Sequence, residues 1–250
     1  AYLSTKSHRP FEYDGTKPTS GYLQRLSSTI RGEQIAQAIG AKINGTHVGN
    51  FSDGAGFSFH PLKNVNGWGD SGMIVTDNRE IAERIKRLRN QGLEGRDVWM
   101  EFGHNHRMQP IQAFVINHLM PYADNINNRR INNALFYDDA LKNVEEIKIP
   151  KREDFIKQVY HTFVIQAERR DELQAYLKNK EIETKIHYPV PLHLQPAAKG
   201  LGYKRGAFPV AERQAERILT LPVHQHLTEE QLNYVAESIK EFYYNESRIC

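Results

Sequence analysis

The chain has few of the features that mark secreted or membrane-spanning proteins. Its 250 residues contain a single cysteine, Cys250, so no disulfide can form within the chain, and a reducing compartment is expected. No apolar run approaches the roughly 20 residues that span a bilayer, and the first residues lack the charged-then-apolar pattern of a secretion signal. These absences favour a cytoplasmic protein without a membrane partner.

The charge of the chain is nearly balanced, which argues against a nucleic-acid partner. There are 33 basic and 30 acidic residues, for a formal net charge of +3, and this is too small for the basic footprint that phosphate backbones require. Local basic clusters at 84–89 and 128–130 fall in helical patterns and are interpreted as solvated helix faces. We predict no metal site, and the composition is typical of a folded globular protein.

The order of sequence patterns predicts an α/β region followed by a smaller α+β region. Residues 1–32 are rich in Ser, Thr, Lys, Arg and Gly without a sustained period, so a poorly ordered lead-in is expected. Residues 33–150 form the first region, with strand patterns and long amphipathic helices. A charged linker near residue 150 precedes the second region, 151–250. The expected strands lie at 54–60, 73–76, 160–165 and 183–187, and the expected helices end near 92, 119, 141, 178 and 219, with a last one from 228.

Several local signals predict where turns and helix ends lie. The Asn-Gly dipeptide at 44–45 predicts a tight hairpin turn. Asp77 with Glu80, and Thr228 with Gln231, each predict a capping box at the start of a helix. The helix that ends near residue 141 is rich in asparagine, a modest helix former, so we expect its exposed face to be polar.

A lysine surrounded by glycine and aromatic residues is the candidate functional residue. Lys63 lies between a strand-like apolar run and the glycine cluster 67–72. A lysine amine attacks a carbonyl compound only when it is neutral, so its pKa, ordinarily about 10.4, must fall through desolvation or a cationic neighbour. Phe57, Phe59 and Trp68 offer apolar surroundings, and the glycines allow backbone amides to approach a phosphate. On local chemistry alone, an exposed lysine in an ordinary glycine-rich loop is the favoured interpretation.

Longer motifs in a fixed order favour the functional interpretation. The stretch Phe57–Asn64, followed by Gly69–Gly72, resembles the cofactor-lysine signature of the pyridoxal-phosphate sugar aminotransferases of the DegT/StrS type. The similarity extends from residue 33 to about residue 243. The further stretches that resemble the family, in the family's order, are 36–41, 105–113, 182–189 and 221–231.

The resemblance implies a fold and a cofactor. The fold would be a partial aspartate-aminotransferase-like large domain (pyridoxal-phosphate fold type I) followed by the smaller C-terminal domain. Lys63 would bind pyridoxal 5'-phosphate covalently and move the proton between substrate and cofactor. Ser58 would donate a hydrogen bond to the cofactor phosphate, and Gln37 would lie against the pyridine ring. Asn105 would reach the phosphate of the other subunit, because the family builds its sites across a homodimer interface.

The resemblance also implies a reaction. An amino group would pass to a keto sugar, most often a nucleotide-linked one, with glutamate as the expected donor, while the cofactor supplies the organic chemistry. His187 and Tyr188 would lie near the sugar. The lysine at position 63 favours an aminotransferase over the related sugar dehydratases, which carry histidine there.

Two departures from the family pattern leave an alternative open. Where the family has Glu-Asp, this chain has Glu33-Gln34, and the amide of Gln34 could bond the pyridine nitrogen of the cofactor without balancing its positive charge. That exchange removes a charge-assisted hydrogen bond of about 1.5 to 3 kcal/mol. Residues 1–32 resemble no part of the family's N-terminal half, including its phosphate-gripping Gly-Thr turn. The alternative is a catalytically inactive remnant of the family that only dimerises or binds.

Overall fold

The structure, a computed structural model that describes residues 39–244, divides the chain into two units. Unit 1 contains the described residues up to 123 together with 155–158, and unit 2 contains residues 124–154 and those from 159 onward. The sequence places the boundary near residue 150. The units instead separate before Asp124, because the long helix at this point packs Ala134 and Tyr137 into the core of unit 2.

Short strands alternate with six α-helices within residues 39–244. No helix in this part of the chain combines the length and apolarity needed to cross a membrane. The strands are β1 (Lys42–Ile43), β2 (Thr46–His47), β3 (Ala55–Ser58), β4 (Gly72–Val75), β5 (Leu93–Glu94), β6 (Val98–Trp99), β7 (Ile147–Lys148), β8 (Ile156–Lys157), β9 (Phe163–Ala167) and β10 (Ile218–Leu221). The helices are α1 (Arg79–Leu88), α2 (Pro110–Leu119), α3 (Ala123–Ala140), α4 (Arg170–Asn179), α5 (Pro209–Arg217) and α6 (Glu229–Tyr244).

The described part of unit 1 contains three small antiparallel sheets, of which β5-β6 is one and the other two begin close to where the sequence predicts them. Strand β1 pairs with β2 and with β8. The turn between β1 and β2 has φ of 48° at Asn44 and 78° at Gly45, the left-handed values of a type I′ turn, so the predicted hairpin is confirmed. Strand β3 pairs with β4, with Ser58 opposite Gly72. The loop between β3 and β4 carries Lys63, as the strand-loop-strand pattern predicts.

The N-cap of helix α1 lies one residue later than the sequence predicts. The side-chain oxygen of Asn78, rather than that of Asp77, accepts hydrogen bonds from the backbone N–H groups of Glu80 (2.9 Å) and Ile81 (3.2 Å). Asn78 has the extended backbone of an N-cap, with φ of −85° and ψ of 113°. From that position its amide reaches the second and third N–H groups of the helix, which have no carbonyl partner within it.

Unit 2 is built around the antiparallel order β10-β9-β7 and the four helices α3 to α6. Its core contains Ile165 from β9, Leu219 from β10, Leu173 from α4 and Ile239 from α6, each fully buried. The predicted capping box of α6 is present. Thr228 N–H donates to Gln231 Oε1 (3.1 Å), and Gln231 N–H donates to Thr228 Oγ1 (3.2 Å).

The expected strand at 183–187 is wrong, because only one residue of it pairs. Lys185 exchanges two backbone hydrogen bonds with Thr220 of β10, of 3.2 Å and 2.7 Å, as an isolated bridge. The prolines that follow, Pro189 and Pro191, have no N–H to donate, so a longer ladder would lack donors on this side.

The asparagine-rich helix α3 buries polar side chains as well as exposing them, which the sequence did not predict. Asn127 is fully buried and Asn133 is 8% exposed. Asn133 donates to the carbonyl oxygen of His224 at 2.8 Å, and Arg130 donates to the carbonyl oxygen of Tyr160 at 3.1 Å. Polar side chains therefore occupy the inner face of α3, because loop carbonyls next to it need donors. Burial lowers the pKa of Arg130 to about 10, so it stays charged at neutral pH.

Two glycines of the β5–β6 region give a matched test of this local fold. Gly92 and Gly95 both have left-handed φ, of +83° and +70°. A Cβ on Gly92 would lie 1.6 Å from the carbonyl oxygen of Glu101, whereas a Cβ on Gly95 would meet nothing within 4 Å. We expect Gly95→Ala to cost only the backbone strain of about 1 kcal/mol, and Gly92→Ala to cost about 3 kcal/mol or more. Urea denaturation measures the free energy of unfolding of both variants. Equal losses of that free energy would contradict the close approach of the Glu101 carbonyl oxygen to Gly92.

Candidate functional site

Backbone hydrogen bonds and buried apolar side chains hold the loop that carries Lys63. Phe59 N–H donates to Ser71 O at 2.8 Å, and Gly67 N–H donates to Phe59 O at 2.9 Å. Phe59 and Val65 are each 1% exposed and pack in one cluster with Ile116 of α2. The half-buried Lys63 lies between these two anchors, so the turn that bears it is held at both ends.

Within this loop, His60 joins Ser58 to Lys63. His60 N–H donates to Ser58 Oγ (3.3 Å), and Lys63 N–H donates to His60 O (2.8 Å). Leu62 N–H donates to Nδ1 of the His60 ring at 3.2 Å. Because Ser58 Oγ accepts from His60, its own hydrogen can be donated to an anion. The structure thus brings two of the predicted site residues, Ser58 and Lys63, into a single turn.

The other side of the loop is fixed by the cap of α2. Gln112 accepts from Gln109 N–H with Oε1 (3.0 Å) and donates to Asp70 O with Nε2 (3.2 Å). The sequence did not identify Gln112, although its position three residues after the helix start is a capping signal. Trp68, expected among the apolar surroundings of the lysine, is 74% exposed, and Phe59 is part of the core cluster instead.

Asn105 lies in a different loop of unit 1, between β6 and α2, whose backbone bonds to the end of α1. His104 N–H donates to Leu88 O at 2.8 Å, and His106 N–H donates to Arg89 O at 2.9 Å. Arg107 Nε donates to Asn105 Oδ1 at 2.7 Å. This bond fixes the orientation of the exposed amide, because its oxygen must face Arg107. The two N–H groups of the amide then remain as donors for an anion.

Of the remaining predicted residues, His187 and Tyr188 lie in unit 2. His187 Nδ1 is 2.8 Å from Thr220 Oγ1, and the Tyr188 ring meets the His187 ring edge-on, with centroids 5.7 Å apart. Thr220 was missed by the sequence reasoning, although it is the one polar residue in Ile218–Leu221. Gln34 and Gln37 lie outside the described residues.

A buried carboxylate organises the segment that follows His187 and Tyr188. Glu212 of α5 accepts from Gly206 N–H (2.8 and 2.9 Å), from Phe208 N–H (3.2 Å) and from the His193 ring (2.9 Å). The side chains of His193 and Glu212 are 8% and 10% exposed. The Gly206 bond is the largest of the effects that lower the pKa of Glu212, and His193 and Phe208 add to it. One carboxylate therefore holds the chain between residues 193 and 208.

Comparison with known proteins places this chain in a family. The sequence profile of the DegT/DnrJ/EryC1/StrS aminotransferase family matches residues 33–240. This chain belongs to that family. The family uses pyridoxal phosphate, which confirms the cofactor prediction at the level of the family.

Individual relatives agree with this assignment. A pleiotropic regulatory protein from Geobacillus stearothermophilus is 41% identical over 213 residues, which are 84% of this chain and 57% of that protein. A dTDP-3-amino-3,4,6-trideoxy-alpha-D-glucose transaminase from Streptomyces venezuelae is 38% identical, over 84% of this chain and 55% of that protein. This chain therefore spans little more than half the length of the curated relatives that it matches.

Solved structures confirm the predicted fold class, a partial α/β fold of the pyridoxal-phosphate aminotransferases. The crystal structure of S. venezuelae DesV superimposes with a TM-score of 0.82 and 36% identity, covering 89% of this chain and 61% of DesV. A DegT/DnrJ/EryC1/StrS aminotransferase from Brucella abortus gives a TM-score of 0.78 with 29% identity, covering 88% of this chain and 60% of that protein.

The Glu212 cluster predicts a pH-dependent contribution to stability. Because the pKa of Glu212 in the folded chain is below its ordinary value of 4.5, its contribution is complete above pH 4.5 and is lost as the pH falls through the lowered pKa. We expect Glu212→Gln to lower the Tm at neutral pH, and the difference from wild type to shrink below pH 4.5. Glu216→Gln on the same helix, which removes an exposed partner of Arg205, is the control and should change the Tm little. A difference that does not vary with pH would contradict this role of Glu212.

Proposed function

We propose that this chain is the cofactor-lysine portion of a pyridoxal-phosphate aminotransferase that acts on sugars. The observation that supports it most is the Ser58–His60–Lys63 turn, in which one local hydrogen-bond pattern fixes the hydroxyl of Ser58 and the backbone of Lys63 within a single turn. Because the chain belongs to the aminotransferase family, we interpret the lysine of this turn as the residue that would bind the cofactor.

The residues of the turn suit the cofactor by their chemistry. When bound, pyridoxal phosphate supplies a ring that withdraws electrons from the reacting carbon of the substrate. The amine of Lys63 would hold the cofactor covalently and, once an amino substrate has displaced it, would carry a proton between that carbon and the cofactor. The hydroxyl of Ser58 would donate to the phosphate, with its oxygen oriented by His60 N–H. Asn105, oriented by Arg107, would donate N–H groups to a phosphate of the other subunit of a homodimer.

The proposed substrates are a nucleotide-linked keto sugar and an amino-acid donor, glutamate. Relatives of this chain include a UDP-N-acetyl-3-dehydro-alpha-D-glucosamine 3-aminotransferase and a GDP-perosamine synthase, which are 36% and 34% identical to it. The imidazole of His187, fixed by Thr220, and the hydroxyl of Tyr188 would contact the sugar. Both side chains can donate or accept hydrogen bonds, as recognition of sugar hydroxyls requires.

An inactive member of the family, which only binds or dimerises, is the second candidate. The observation that favours it is Gln34, which stands where the family has a carboxylate. A glutamine cannot balance a positive charge on the pyridine nitrogen, so the ring would withdraw electrons less strongly. This candidate retains Lys63 and predicts binding of the cofactor without turnover.

Covalent labelling tests the role of Lys63. Pyridoxal phosphate followed by borohydride should leave a reduced phosphopyridoxyl group on the peptide that contains Lys63, as measured by mass spectrometry. Lys63→Ala should reduce that labelling to background and abolish transamination of a keto-sugar nucleotide, because the attacking amine is gone. Lys199→Ala, which removes an exposed lysine of unit 2, is the control and should label like wild type. Equal labelling of Lys63→Ala and wild type would refute the proposal.

Restoring the family's carboxylate separates the two candidates. If the chain is an enzyme limited by Gln34, Gln34→Asp should raise kcat by about tenfold or more, since a charge-assisted hydrogen bond adds about 1.5 to 3 kcal/mol. Single-turnover conversion of the bound cofactor by glutamate measures the effect directly. Gln34→Glu, which offers a carboxylate on a longer side chain, shows whether placement of the charge matters. If no variant turns over although all bind the cofactor, the inactive form is correct.

A further inference from the structure

We infer that His60 is a positioning residue for Lys63, because its imidazole Nδ1 and its backbone together set the turn that holds Ser58 and Lys63. The inference rests on the proposed function only for what Lys63 binds. Its basis is the hydrogen bonding of residues 58–63, in which His60 uses its N–H, its carbonyl oxygen and its ring.

The backbone donors of the turn show why His60 is central. Pro61 has no N–H group, so residues 61–63 offer only the N–H groups of Leu62 and Lys63. Both donate to His60, Leu62 to the ring nitrogen at 3.2 Å and Lys63 to the carbonyl oxygen at 2.8 Å. A side chain without an acceptor at position 60 would leave the Leu62 donor without this partner, and the turn would lose one of its two local bonds.

The two ring nitrogens of His60 make different contacts. Because Nδ1 accepts from Leu62, it must be unprotonated, and a neutral ring then carries its hydrogen on Nε2. Nε2 lies 3.7 Å from Asp70 Oδ1, beyond hydrogen-bond distance. The Asp70 side chain is 91% exposed, so solvent screens this pair and the Leu62 bond contributes more. The hydrogen bond that Nδ1 accepts, rather than the electrostatic contact between Nε2 and Asp70, therefore fixes the turn.

Three substitutions at position 60 separate these contacts. In His60→Asn, Oδ1 takes the place of Nδ1 and can accept from the N–H two residues on, as in an Asx-turn. In His60→Gln, the amide reaches the place of Nε2 but leaves no acceptor near Leu62. In His60→Phe, the ring shape is kept and both polar atoms are lost. If His60 only fills space, Phe should be the best-tolerated replacement at this position. If His60 positions the turn, Asn should be the best-tolerated replacement.

The experiment measures cofactor binding and backbone protection on the full chain. After circular dichroism confirms that each variant is folded, absorbance titration gives the Kd for pyridoxal phosphate, and borohydride trapping gives the labelled fraction of Lys63. We expect His60→Asn to stay within about threefold of wild type, and His60→Gln and His60→Phe to weaken binding by about five- to tenfold. Amide hydrogen exchange of Leu62 and Lys63 without cofactor should be faster in His60→Gln and His60→Phe only.

Each outcome decides a separate question. Equal Kd values for all three variants, or a loss of binding in His60→Asn as large as in His60→Phe, would overturn the positioning role. Faster exchange in His60→Phe with an unchanged Kd would also overturn it, because the turn would then be irrelevant to Lys63. If wild type does not bind the cofactor at all, the proposed function fails, and the exchange measurement alone decides whether Nδ1 of His60 sets the turn.

Discussion

The burial of Phe59 and Val65 against Ile116 is the interaction on which the lysine turn depends. A stretch with this many glycines has a high conformational entropy when unfolded, and its local hydrogen bonds contribute only about 0.5 to 1.5 kcal/mol each. Burying one large apolar side chain contributes about 1.5 to 3 kcal/mol, and Phe59 and Val65 are both 1% exposed. The apolar anchor therefore makes a fixed turn possible, and the polar contacts around His60 then determine its shape.

The same principle operates separately in unit 2. There the core strand β10 supplies Thr220, whose neighbours Leu219 and Leu221 are buried and whose hydroxyl meets His187 at 2.8 Å. Glu212 of α5 accepts hydrogen bonds from two backbone N–H groups of an irregular segment, those of Gly206 and Phe208. In unit 2 regular elements fixed by apolar packing therefore present polar side chains to irregular segments: Thr220 contacts His187, and Glu212 contacts the segment between residues 193 and 208.

The sequence predicted the elements whose signals are local. Strands β3 and β4, helix α2 and the capping box of α6 depend on periodicity and on residues at most four positions apart, so pattern and structure agree. The asparagines of α3 and the single bridge at Lys185 depend on distant partners, such as the loop carbonyl of His224 for Asn133, 91 residues away. No local pattern contains that information. For the site, Ser58 and Lys63 came from motif resemblance, while Gln112 and Thr220 act across 42 and 33 residues and could not be found.

In the proposed function, holding the cofactor and activating it are separate tasks that different residues would serve. The hydrogen bonds of the Ser58–Lys63 turn place a hydroxyl and a lysine where they would hold a phosphate and a carbonyl group. In the proposed function residue 34 would set how strongly a bound ring withdraws electrons, because a carboxylate stabilises a pyridinium charge and an amide does not. An enzyme and an inactive relative would thus share the same turn around Lys63. Binding of the cofactor is therefore expected of both candidates, and only turnover distinguishes them.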